Sequence, residues 1–121
     1  MDKIRSFKDL DAWKEGHGVV LEIYKLTNGF PKEEIFGLVS QMRRCAVSIT
    51  SNIAEGFSRE SNKEKTHFYY IAQGSVTELQ NQLLVSRDVE YITANDFDKV
   101  DSRLTVAHKI INGLIKYAKN H

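Results

Sequence analysis

Apolar residues recur along this chain at steps of three and four, in four stretches separated by short polar segments. No stretch alternates at the step of two that marks a half-buried strand. The pattern predicts helices over about 7–27, 31–55, 62–91 and 94–119. Ser6, with Asp9 three residues on, reads as a capping box for the first helix. Asn28-Gly29 then closes that helix, and Pro31 opens the second. Ser61 with Glu64, and Thr93 with Asp96, mark the starts of the third and fourth, while Gly56 is the expected stop of the second.

The faces follow from the same spacing. In the first helix Leu10, Trp13, His17, Val20, Leu21 and Tyr24 share the face read as core, with Ala12, Val19, Ile23 and Leu26 on a second apolar strip. The second helix sets Leu38, Met42, Cys45, Ile49 and Ile53 inward and leaves Phe36, Val47 and Ala54 on a separate face. The third carries Phe68, Ile71, Ala72, Ser75, Val76, Leu79, Leu83 and Val89; the fourth carries Phe97, Val100, Leu104, Ala107, Ile111, Leu114, Ile115 and Ala118. Four amphipathic helices with short connections predict an all-α fold, an antiparallel up-down-up-down four-helix bundle forming a single domain over 1–121. The first two helices carry more apolar surface than a four-helix core uses. That surplus predicts self-association through Ala12, Val19, Ile23 and Leu26, with Phe36 and Val47.

One strip of the second helix is polar in a selective way. Gln41, Arg44, Ser48, Asn52 and Glu55 are short or fork-shaped groups with defined hydrogen-bonding patterns, where a solvated face would accept any mixture. Folding the chain about the loop 57–61 places Asn52 opposite His67, and Arg44 opposite Ser75 and Glu78. A partly buried network of these eight residues is expected, centred on an Arg44–Glu78 pair. Its role is open between fixing helix register and recognising a ligand or partner.

Composition narrows the classes. With 121 residues, 41% apolar and 27% charged, the chain is ordinary for a soluble globular domain. Its single cysteine, Cys45, excludes an internal disulfide and reads as a buried thiol. No segment approaches the roughly 20 apolar residues of a membrane span, and no apolar run follows the N-terminal charges, so a cytoplasmic protein is expected. A net charge of +1 gives no global pull toward nucleic acid. The local candidates for such contact are Arg43, Arg59, Lys63 and Lys65, diluted by Glu60 and Glu64.

Glu64 and His67 form one Glu-x-x-His, whereas a di-iron bundle needs two and a further Glu from each of two helices. No metal or cofactor site is therefore predicted. His17 and His108 fall on core faces and read as buried, hydrogen-bonded histidines. With no nucleophile motif, phosphate loop or paired carboxylates, no catalytic residue is assigned. The chain reads as a non-enzymatic, oligomeric interaction protein, with itself and RNA or a nucleic-acid-processing protein as the expected partners and no membrane. Its rivals are a dedicated nucleic-acid-binding accessory protein, and a metal-binding or acid–base enzyme using His17, His67 and His108 with Glu55 and Glu78.

An ordered set of short motifs adds to this: Phe7-Lys8-Asp9-Leu10 with Trp13, Phe30-Pro31, Gly37-Leu38, Gln41-Met42-Arg43-Arg44, Ser48-Ile49, Asn52-Ile53-Ala54-Glu55-Gly56, and Gly74-Ser75 with Glu78-Leu79. Over residues 7–92 the chain resembles the four-helix-bundle family encoded by intervening sequences in bacterial 23S ribosomal RNA genes. The resemblance implies a cytoplasmic homopentamer with no established enzymatic activity, whose motif residues here are Arg43, Arg44, Asn52, Glu55 and Gly56. A related branch includes the accessory variability determinant of diversity-generating retroelements, a basic pentameric barrel that binds a reverse transcriptase and nucleic acid. This nearly neutral chain departs from that branch.

Overall fold

The computed structural model describes residues 3–121 and places four helices in them: α1 (Asp11–Thr27), α2 (Ser40–Ser58), α3 (Asn62–Asp88) and α4 (Ala94–Asn120). Each packs on the next, and α4 returns against α1, closing an all-α, up-down-up-down bundle. The Nε of Arg103 on α4 donates to Glu15 of α1 at 2.9 Å, tying the first helix to the last.

The local signals act where the side chains that carry them are short. The Ser6–Asp9 capping box forms, but it caps a separate 3-10 turn, Phe7–Asp9. Leu10 is extended, so α1 starts only at Asp11. The Ser61 hydroxyl accepts from the Glu64 amide at the start of α3, and Thr93 accepts from Asp96 at the start of α4. Residues 31–39 are not the first turns of α2. Lys32–Glu34 is a 3-10 turn and Ile35–Val39 a π turn, kinked at Gly37. The amide of Leu38 is satisfied there by the Glu34 carboxylate.

Nor does Gly56 stop the helix, for α2 runs through it to Ser58. A Cβ at this position would come within 2.6 Å of the Tyr69 ring and 3.2 Å of the Phe68 Cβ. The glycine lets α3 approach α2 closely rather than ending a helix. α3 itself ends at Asp88, where Glu90 adopts a left-handed conformation (φ 66) and the Tyr91 amide reaches back to the Ser86 carbonyl.

The core is built from Val19, Ile23, Met42, Ile49, Ile53, Val76, Leu79, Leu83, Val100, Leu104 and Ile111, all sealed from solvent. Each buried aliphatic of this size stabilises the fold by about 1.5–3 kcal/mol before conformational entropy is charged. α3 and α4 turn mostly the expected faces inward, although Ile71 and Val89 of α3 lie largely exposed. α1 is rolled part-way from the expected face: Val20 is buried and Leu10 and Trp13 pack against the core as expected, but the centre of the buried face lies elsewhere. Ala12, Val19 and Ile23, expected at a subunit surface, are inside the protomer, and Leu26 packs half-buried against the core. Leu21 and Tyr24, read as core, point to solvent. The reason is Gly16, in the middle of the buried strip: a Cβ there would sit 3.1 Å from the Thr50 methyl and 3.4 Å from that of Ile49. The strip of smaller residues is the one that lets α1 settle onto α2.

Candidate functional site

Two adjoining hollows share α2. The first is a groove of about 390 Å³ between α2 and α3, reached by Gln41, Arg44, Ser48, Ser75, Glu78 and Gln82 over the buried Cys45. Its floor is hydrogen-bonded. The Asn52 amide donates to the Ser48 carbonyl (2.8 Å) and hydroxyl (3.1 Å), and the Ser48 and Ser75 hydroxyls meet at 2.9 Å. Ser48 accepts from Asn52 through one lone pair, and either hydroxyl can be the donor in its contact with Ser75. The Cys45 thiol donates to the Ser75 carbonyl at 3.1 Å. Burial, reinforced by the Glu78 carboxylate facing it, pushes this thiol up to about 12. A thiol so held is protonated and a poor nucleophile.

The expected network thus forms only at its centre. Ser48 rather than Arg44 meets Ser75, about one helical turn from the predicted register. The Arg44–Glu78 pair is not made: both side chains are exposed, and neither has a salt-bridge partner among the described residues. Gln41 is exposed on the same rim, and Glu55 instead pairs with Arg59 one turn along at 3.1 Å. His67 is exposed and lies edge-on to Phe68. Gln82 is only 8% exposed, and its carbonyl oxygen has no hydrogen-bond partner among the described residues.

The second hollow, about 830 Å³, lies between the end of α1, the π turn and α2. Tyr24, Ile35, Phe36 and Val47 line it, and all four are exposed apolar side chains. Phe36 is 97% exposed. Arg44 and Ser48 line both hollows, so Arg44 stands on the ridge between a polar groove and an apolar flank. Of the six residues expected at a subunit surface, Phe36 and Val47 are exposed, whereas Ala12, Val19 and Ile23 are inside and Leu26 is half-buried.

The expected nucleic-acid contacts are mostly engaged within the chain. Arg43 donates from Nε to the Thr27 hydroxyl (2.9 Å) and from Nη2 to Asn28 (3.0 Å) and the Tyr24 carbonyl (3.4 Å), with its guanidinium over the Tyr24 ring. It staples the C-terminus of α1, where positive charge suits the helix dipole, to α2. Arg59 lies between Glu55 and Glu64 and over the Phe68 ring. Lys65 caps α2, donating to the Phe57 carbonyl at 2.7 Å. Lys63 alone of the four is exposed without a carboxylate partner among the described residues.

A different basic surface follows from the sequence itself: after Asp101 the chain contains no acidic residue. Lys109, Lys116 and Lys119 are exposed on this half of α4, Lys119 sits over the ring of Tyr70, and Tyr117 is exposed beside them. Lys63 and Lys119 share a shallow hollow of about 300 Å³ with Asn62 and Thr66.

His17, expected in the core, is exposed and stacked on Trp13 at 4.6 Å, and His108 is half-buried. Among the described residues no three His, Cys, Asp or Glu side chains gather as metal ligands would. No helix among them is long and apolar enough to cross a membrane.

No curated protein matches the chain. Among solved structures, a protein of unknown function from the S23 ribosomal protein family of Bacteroides thetaiotaomicron superposes with a TM-score of 0.80. The overlap covers 87% of this chain and 95% of that one at 23% identity, a likeness of fold. The sequence model of the 23S rRNA-intervening sequence proteins matches residues 8–113, nearly the whole bundle, and the chain belongs to that family.

Proposed function

We propose that the protein is a non-enzymatic, self-assembling interaction bundle of the cytoplasm, a homopentamer as the family resemblance implies. The observation that carries this is Phe36. An aromatic ring 97% exposed, held out by a kinked π turn and ringed by Tyr24, Ile35 and Val47, is a costly surface for a solitary protomer. Burying a side chain of this class stabilises a contact by about 1.5–3 kcal/mol, and four together make the centre of an interface. The groove beside it supports the non-enzymatic part, since its one thiol is driven away from the thiolate a nucleophile needs. Light scattering of the intact protein tests the proposal. An assembly several protomers in mass is expected, dissociated by Phe36→Asp with helix content unchanged. A wild-type protomer that stays single at tens of micromolar overturns it.

The acid-free half of α4 favours a second role, an accessory holding nucleic-acid phosphate, as in the resembling branch. Repetition of Lys63, Lys109, Lys116 and Lys119 around an assembly multiplies the phosphate contacts. Retention on single-stranded RNA is then expected to fall with salt, with a log–log slope of about −3 per protomer if all four lysines engage. Reversing Lys109, Lys116 and Lys119 to Glu removes it. No retention at low salt, or retention indifferent to that reversal, sinks this role and leaves the assembly standing.

A further inference from the structure

We infer that the α2–α3 groove is the seam at which one copy grips the next, with Arg44 of one copy paired to Glu78 of its neighbour. The inference rests on the self-assembly proposed above and names the contact that directs it.

The groove holds one cation and one anion on its rim, and its own chain does not join them. Arg44 and Glu78 line the same 390 Å³ space, yet no salt bridge links them. Their surroundings draw them apart. Glu78 faces the buried Cys45 thiol, whereas Arg44 stands on the ridge and also lines the Phe36 hollow. A rim with one unmatched charge of each sign is complementary to a copy of itself. Whether copies meet about a two-fold axis or head to tail, every Arg44 meets a Glu78.

Two further features point to a partner at this place. Gln82 is more than nine-tenths buried at the groove, and its carbonyl oxygen lacks a donor. An acceptor left in that state carries its desolvation cost, which repacking against a donor from a second copy relieves. Moreover, the polar centre is flanked by exposed apolar side chains: Phe36 and Val47 toward α1, and Ile71 and Val85 on α3. Closing those flanks excludes water from the ion pair and strengthens it, as an exposed pair within one protomer would not be.

Charge reversal and mixing test this. Arg44→Glu sets Glu against Glu78 at every seam, and Glu78→Arg sets Arg against Arg44. Each variant alone is expected to dissociate, its half-assembly concentration rising tenfold or more, while retaining its helices by circular dichroism. Mixed in equal amounts, the two variants supply each other's missing charge at up to four of the five seams of a pentamer, and light scattering is expected to show masses above that of either alone. The double variant R44E/E78R is expected to assemble by itself.

A wild-type protein that stays single overturns both the assembly and the seam. Wild-type assembly that both single reversals leave intact overturns the seam only, and Phe36→Asp then still decides the assembly. Reassembly of the double variant without rescue by mixing places the pair within one chain and overturns the inference. Loss of helix in either single variant does the same, since the charges would then hold the protomer itself.

Discussion

Removing the Arg43 fork should loosen the joint between α1 and α2 without touching the core. In Arg43→Ala two well-formed side-chain hydrogen bonds disappear, to Thr27 at 2.9 Å and Asn28 at 3.0 Å, together with the stack over Tyr24. For a half-exposed cation each bond contributes about 0.75 kcal/mol and the ring contact about 0.5 kcal/mol. The Thr27 hydroxyl is not stranded, because it still donates to the Ile23 carbonyl at 2.7 Å. The expected loss is therefore about 2 kcal/mol. For 121 residues, at an unfolding entropy of roughly 2.1 cal/mol/K per residue, that lowers the thermal midpoint by about 8 °C. Arg43→Lys keeps the charge but not the planar fork, and should recover no more than half. Calorimetry over a dilution series is the assay, since assembly raises the apparent midpoint with concentration. An Arg43→Ala midpoint within a degree of wild type, at every dilution, would show that the staple holds nothing.

Two further substitutions probe the packing of α2 against α3. Gly56→Ala gains about 1 kcal/mol of helix propensity, but its methyl group would sit 2.6 Å from the buried Tyr69 ring, an overpacking that costs about 1–3 kcal/mol. A net fall of about 1 kcal/mol in urea unfolding is expected, and a stabilised variant would refute the close approach of α3. The Cys45 thiol titrates near 9.0 when unfolded and at about 12 when folded, so the folded state keeps a proton that the unfolded chain releases between those values. Stability contributed by this group is complete below pH 9 and is lost as pH rises toward 12. Urea midpoints taken at pH 8, 9 and 10 should fall faster for wild type than for Cys45→Ala. Tyr69, raised by burial in the same direction, acts equally in both proteins. Parallel pH profiles would mean that the thiol is not held protonated.

What the sequence discloses and what it hides divide by range. The starts of α3 and α4 are legible because Ser61 and Thr93 bond amides three residues away, a chemistry contained within one turn. The inward face of α1 is not, because two apolar strips compete and the choice is made by a neighbour. Bulk suggests Leu21 and Tyr24, while the space left by Gly16 against Thr50 and Ile49 selects Ala12, Val19 and Ile23. Gly56 shows the same ambiguity, since a glycine near a helix end marks a stop or a close contact with identical local spelling. Its consequence reaches furthest. Because α2 continues through Gly56 to Ser58, Ser48 rather than Arg44 arrives opposite Ser75, while Arg44 and Glu78 still line one groove but stand exposed on its rim as two free charges. A buried Arg44–Glu78 pair would orient two helices of one chain. The same two residues left unmatched beside Phe36 are better placed to orient one chain against another.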